Sequence, residues 1–225
     1  TYAALNLVAG ILGLLAGLGL AVVFWGVGNR MYLFVGLAFL VSGAEDFLQG
    51  IVAFGAPFGW AATDTLAPSR FAAAGSATAR LPLGIILVLA PSLPVWLGRT
   101  TNPTRATLGA FLIVATVTGA ATALAVRLPL AAAIFPQQIV SRPVDFLAAV
   151  VLLLALFAFR REYHRHRHLL VWWVALSIAV NAVGQVMMAC SKSTYDSFFA
   201  LAQGYKVLGY AVPLLGVSLY QVRTL

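Results

Sequence analysis

The chain has 225 residues, 62% of them hydrophobic and only 9% charged, with a formal net charge of +8. A soluble domain is about 45–50% apolar and about 25% charged. This composition therefore excludes a soluble catalytic domain, points away from nucleic acid, and assigns the basic excess to the loops of an integral membrane protein. The single Cys190 excludes an internal disulfide.

Seven apolar runs are predicted. The first, Ala3 to Trp25, carries Gly10, Gly13, Gly17 and Gly19. Small residues at such spacing let helices approach closely, either within the chain or across a dimer face. The second, Met31 to Phe54, contains Glu45, Asp46 and Gln49. A long connection, Gly55 to Thr78, follows; with Trp60 and Pro68 it reads in part as an interfacial helix. The third run, Ala79 to Leu97, is broken by Pro82, Pro91 and Pro94, with Arg80 at its entry. The fourth is Ala106 to Val126, and a second long connection spans Arg127 to Pro143. The fifth, Val144 to Phe159, is short, so its ends are expected to extend into the flanking polar residues. The basic loop Arg160 to His168 leads to the sixth run, Leu169 to Cys190, and the seventh is Phe198 to Val222. Thr1 is not an initiator residue, so the natural chain is expected to begin upstream.

Orientation follows from the basic residues. An outside N-terminus puts Arg30, Arg99, Arg105, Arg160, Arg161, Arg165, Arg167 and Arg223 in the cytoplasm. Arg70, Arg80, Arg127, Arg142 and Lys192 then lie outside. The densest cluster falls in a short loop, where the positive-inside bias acts most strongly. The N-terminus is expected outside and the C-terminus inside.

Helical rise then places the polar residues within the spans. Glu45 lies roughly 21 Å from the inner end of its helix, with Asp46 and Gln49 slightly higher. Asn181 and Gln185 lie roughly 18 and 24 Å above Leu169 and share one helix face. Gln203 and Lys206 occupy the first turns of the seventh span, while Arg80 and Asp145 enter the third and fifth from outside. These side chains form one layer in the outer half of the bilayer. Lipid offers them no partners, so they should face the bundle interior. Lys206 is expected to pair with Glu45 or Asp46, and both acids are not expected to be ionised against one lysine. Such a layer is either interhelical glue or a polar pocket open to the outside. Outer loops of some length, a proline-broken third span and amides on three helices favour the pocket.

Several motifs resemble a known family, the third class of the bacterial membrane-associated sensor domains called MASE. Asp46-Phe47-Leu48-Gln49, followed by Phe54-Gly55, is similar to a family signature of aspartate and, three residues on, histidine, then glycine. SRPVDFLAAVVLLL, from Ser141, resembles the Arg-Pro-hydrophobic-Asp start of a late family span. Tyr195-Asp196 is similar to the close of its penultimate loop. Ala202-Gln203-Gly204-Tyr205-Lys206, with Tyr210 and Pro213, resembles its last span, except that glutamine replaces histidine. Gln49 and Gln203 thus stand where the family has histidines, so metal binding and titration near neutral pH are not expected. The resemblance covers Met31 to Leu225 and implies an N-terminal input module preceding a histidine kinase, a diguanylate cyclase or a similar output unit, working as a homodimer.

Other constellations are weaker. His164 and His168 share a helix face, but the Arg-His loop reads better as an anchor for anionic headgroups, with Trp172 and Trp173 as interface aromatics. Tyr205, Tyr210 and Tyr220 read as packing and interface residues. A retinal Schiff base on Lys206 would want an aspartate where Ala202 stands. No CxxC, HExxH or phosphate loop is present, and the two halves show no convincing repeat of the transporter kind. The expectation is an all-α polytopic membrane protein of the bacterial inner membrane, a single seven-helix module over residues 1–225. It would bind a small or lipid-like ligand through Glu45, Asp46, Gln49, Arg80, Asp145, Asn181, Gln185, Gln203 and Lys206. No metal or cofactor is expected; a bound lipid fits the pattern. The alternative is a non-catalytic accessory subunit of a larger membrane complex.

Overall fold

A computed structural model describes residues 2–55, 68–92, 103–127, 134–193 and 196–224. Among the described residues the regular structure is entirely helical: α1 (Tyr2–Val27), α2 (Arg30–Gly55), α3 (Pro68–Leu89), α4 (Pro103–Arg127), α5 (Pro143–His166), α6 (Leu169–Cys190) and α7 (Ser197–Thr224). Five of them, α1, α2, α5, α6 and α7, are long and apolar enough to cross a membrane; Ala79–Leu89 and Thr107–Ala120 are shorter apolar stretches within α3 and α4. The protein is a helical membrane protein. The interfacial segment expected before Pro68, and the expected outer connection over 128–133, lie outside the described residues.

Proline sets several boundaries. α3, α4 and α5 each begin on one, where the missing N–H costs nothing and the fixed φ already suits a helix. α3 differs most from expectation. It starts at Pro68 rather than Ala79, because the alanine-rich stretch after Pro68 is a strong helix former. It ends at Leu89, because Pro91 disfavours helix at the residue before it; the rest of the expected run, 93–97, lies outside the described residues. The Ser92 hydroxyl closes the end by donating to the Leu89 carbonyl at 2.8 Å. Arg80 is therefore a mid-helix residue, only 1% exposed, and not part of an outer loop.

Contacts run α1–α2–α3–α5–α6–α7 and back to α1, closing a ring, with α4 set against α2 and α3 from outside. Without water to drive apolar surfaces together, such helices hold by close packing. The α1–α2 seam shows how. A Cβ on Gly17 would sit 2.6 Å from the Gly36 carbonyl oxygen, and one on Gly43 would sit 2.8 Å from the Leu14 backbone nitrogen. The glycines of α1 thus serve packing within the chain. α2 is the most enclosed span: every residue from Arg30 to Phe39 is buried, so this half of the helix is covered on all sides. Outward-facing side chains are large and apolar, as on α4 at Leu108, Phe111, Leu112 and Ile113.

The α6–α7 seam has a different logic. Pro213 lies inside α7 and lacks the N–H that would bond the Gly209 carbonyl one turn earlier. Ser177 of α6 supplies the missing donor, its hydroxyl bonding the Gly209 oxygen at 2.5 Å. Glycine is required there, since a Cβ on Gly209 would collide with the Asn181 side chain. Further along, Trp173 packs against Gly216, so it is a seam residue and not an interface aromatic.

Candidate functional site

The polar layer closes on Asp46, which is fully buried at the centre of the ring. Its Oδ1 accepts a 2.8 Å bond from Lys206 Nζ on α7. Its Oδ2 accepts from Arg80 Nη2 on α3 at 3.1 Å and from the Tyr210 hydroxyl on α7 at 2.7 Å. One carboxylate thus holds two cations and a phenol. Glu45, one residue earlier, is half-buried; its charge acts on Arg80, but the carboxylate that Lys206 bonds is that of Asp46. This resolves the choice between adjacent acids: Asp46 is the partner of Lys206.

Neutral groups around these bonds complete the geometry. Lys206 Nζ also donates to Asn6 Oδ1 of α1 at 2.8 Å, and Arg80 Nη1 donates to Asn181 Oδ1 of α6 at 3.1 Å. Asn181 turns its amide nitrogen to the Ser177 carbonyl at 3.0 Å, which fixes its oxygen toward Arg80. The Tyr210 hydroxyl lies 2.7 Å from Ser42 Oγ. Since the phenol proton goes to Asp46, Ser42 is the donor in that pair. The Arg80 guanidinium also lies over the Tyr210 ring, 4.9 Å from its centroid. Three pairs, Ser42 and Asp46, Ser177 and Asn181, Lys206 and Tyr210, are each four residues apart. Each pair therefore presents one helix face to the centre.

Of the residues singled out from sequence, the network joins Asp46, Arg80, Asn181 and Lys206. Gln185 borders the same place: with Arg80, Asn181 and Lys206 it lines a cavity of about 10 Å³, room for roughly one water. Gln49 and Gln203 are buried at this level, and the Oε1 atoms of Gln185 and Gln203 have no hydrogen-bond donor among the described residues. Asp145 is buried in the first turn of α5 beside Arg142. Sequence reasoning missed Asn6, Ser42, Ser177 and Tyr210. Asn6 had a signal, being the single amide in α1. Tyr210 had one too, a turn beyond Lys206 on the same face, yet it read as packing.

A second polar cluster ties the ends of α5, α6 and α7 together. Arg142 donates through Nη2 to the Ser193 carbonyl at 3.0 Å and through Nε to the Ser191 carbonyl at 3.4 Å, and its guanidinium lies 5.5 Å from the Phe199 ring centroid. The backbone N–H of Ser141 meets the Ala189 carbonyl at 2.8 Å. Burial lowers the Arg142 pKa, and the charges of Asp145 and Asp196 only partly offset it. Asp196 caps α7: its carboxylate accepts the N–H groups of Phe199 at 2.8 Å and of Lys192 at 2.7 Å. Partial burial pushes its pKa up, but these backbone donors outweigh it and hold the group below the ordinary carboxylate range.

The profile of the MASE3 family, a membrane-associated sensor domain, matches residues 1–224. The chain belongs to this family. No curated protein and no solved structure matches it. Membership makes the Asp46 network the interior of a membrane sensor domain, and gives SRPVD and Tyr-Asp a physical meaning as the Arg142 clamp and the Asp196 cap. Among the described residues no three His, Cys, Asp or Glu side chains gather closely enough to hold a metal ion; His166 instead meets Glu162 at 3.4 Å.

Proposed function

We propose that this chain is the sensory input module of a signalling protein in the bacterial inner membrane, with its N-terminus outside and its C-terminus in the cytoplasm. A small or lipid-like ligand carrying an anionic or strongly hydrogen-bonding group enters the polar layer from outside and competes with Asp46 for Arg80 and Lys206. The observation that carries this reading is the single carboxylate bound to cations on two helices. Two cations share the one carboxylate that hydrogen-bonds them, Glu45 and Asp145 act on them only from farther off, and Gln185 and Gln203 add spare polar atoms beside the site. A cavity of about 10 Å³ is too small for such a ligand, so binding requires a second helix arrangement. α7 carries both Lys206 and Tyr210, so parting the network moves the helix that leads toward the output unit. The orientation gains support from Arg80, which no longer counts among the outer loop charges. Homodimerisation and a kinase or cyclase partner follow from the reading and not from the geometry.

The small cavity also favours a second reading, an accessory subunit in which the network is permanent glue. One experiment separates them. The full chain is joined to a diguanylate cyclase reporter in bacterial membranes, and Lys206→Met is compared with Arg142→Gln. The sensor reading expects Lys206→Met to shift basal output about tenfold or more, with Arg142→Gln near wild type. Output that falls in both variants only in proportion to lost stability would sink the sensor and leave the glue.

A further inference from the structure

A separate cavity lies on the outer face of the ring, between α5 and α6, next to the basic loop. Its volume is about 440 Å³, in the range of small-molecule sites. The deep end is apolar, formed by Leu156 of α5 with Ala175, Leu176 and Ala179 of α6. The alanines create the space, because a larger side chain at either position would fill it. The mouth is polar and cationic, with Arg160, Tyr163 and His164 on one wall and Trp172 on the other. Leu156, Arg160, Tyr163 and His164 follow the spacing of one helical face, as do Trp172, Ala175, Leu176 and Ala179.

The mouth is shaped as well as charged. The Tyr163 ring stands 5.4 Å from the Trp172 ring and 5.8 Å from the Arg167 guanidinium, so it is held as a fixed wall. Arg167 adopts the left-handed conformation, φ 54°, and its N–H closes on the Tyr163 carbonyl at 2.8 Å, which ends α5 directly beside the groove. The acid of the loop, Glu162, is engaged by His166. Arg160, Arg161, Arg165 and Arg167 leave the loop beside the groove strongly positive, and Arg160 lines the mouth itself.

We infer that this groove is a binding site for one anionic phospholipid of the surrounding bilayer. α5 and α6 are each long and apolar enough to cross the membrane, so the loop between them lies at one membrane surface whichever way the chain faces. From His164 to Leu156 the groove extends about 12 Å, most of the roughly 15 Å of hydrocarbon in one leaflet. An acyl chain lies over the two alanines, and the phosphate sits between Arg160 and His164. Trp172 and Tyr163 flank the glycerol level, where amphipathic rings are favoured. A zwitterionic lipid fills the same groove but forfeits the attraction of the mouth. The site is separate from the Asp46 layer and stands whether or not that layer senses a ligand.

The test places the whole chain in nanodiscs of phosphatidylcholine containing brominated phosphatidylglycerol or brominated phosphatidylcholine, and reads tryptophan quenching. The expected result is stronger quenching by brominated phosphatidylglycerol, a preference lost in Trp172→Phe because Trp172 reports the site. Replacing the exposed mouth residues, Arg160→Gln with His164→Gln, should weaken the preference about fivefold, the worth of the one arginine charge removed. Ala179→Leu, which fills the groove but keeps the mouth, should also abolish it. Equal quenching by the two lipids in the wild type would overturn the proposal. So would a preference that survives Arg160→Gln with His164→Gln, since those positions are solvent-facing and the variant keeps its fold; that result would mean diffuse attraction to the basic loop only.

Discussion

Arg80 and Arg142 are both almost fully buried, at 1% and 3% exposure, yet they are held in opposite ways. Arg80 is bound by a carboxylate on another helix and capped by an asparagine and a tyrosine face. Arg142 is bound by backbone carbonyls of the turn it anchors and by an aromatic ring. An ion pair across helices can be exchanged for another anion without unfolding anything. Carbonyls fixed by a turn can be released only by remaking that turn. The first arrangement suits a part that changes, the second a part that must not.

The largest expected effect breaks the exchangeable half. Asp46→Asn leaves two cations buried without their charge partner and should cost about 3–5 kcal/mol in unfolding free energy, measured by titrating the protein with denaturing detergent. Arg142→Gln should cost less, about 1–3 kcal/mol, because it removes hydrogen bonds and leaves neutral carbonyls behind. The same titration checks it, and labelling of Lys206 by an amine reagent should stay slow in that variant and become faster in Asp46→Asn. Tyr210→Phe removes one donor from Asp46 and should cost about 0.5–1.5 kcal/mol. If it costs as much as Asp46→Asn, the phenol and not the ion pair dominates the core.

The smallest effect concerns the cap. Asp196→Ala should cost about 1 kcal/mol. Because the folded-state pKa of Asp196 is depressed, its contribution is full above the unfolded value near 4. It is lost as pH falls through the lower folded value. Wild type and Asp196→Ala should therefore converge in stability only at strongly acidic pH; a constant gap down to that range would show that the carboxylate charge has no part in the cap.

The exchangeable half was largely legible in the sequence, since charges inside apolar runs stand out. Asp46, Asn181 and Lys206 could be placed at one depth by counting helical rise. Arg80 looks like an edge residue as long as Gly55 to Thr78 reads as a connection, whereas the alanines after Pro68 carry the helix well before it. Tyr210 and Ser42 were overlooked because hydroxyls are common on packed faces, and only the geometry shows which one meets a charge. The fixed half was visible as a motif without a mechanism. Nothing in SRPVD says that its arginine reaches residues about fifty positions later. The glycines of α1 left open whether their partner was within the chain or outside it; Gly10, Gly13 and Gly17 meet α2, and Gly19 meets Val217 of α7.

The exchange of partners at Gly209 also bears on how α7 can move. Its carbonyl is bonded to α6 because Pro213 cannot serve it. The helix thus lacks one of its own bonds about a turn beyond Tyr210, where the Ser177 hydroxyl ties it to α6, with Trp173 packed on Gly216 just after. A push on the segment bearing Lys206 and Tyr210 would be converted at that pivot into a swing of the segment beyond it, as in a lever with a fixed fulcrum. The angle of the C-terminal arm, and not its height, is then the quantity that would change.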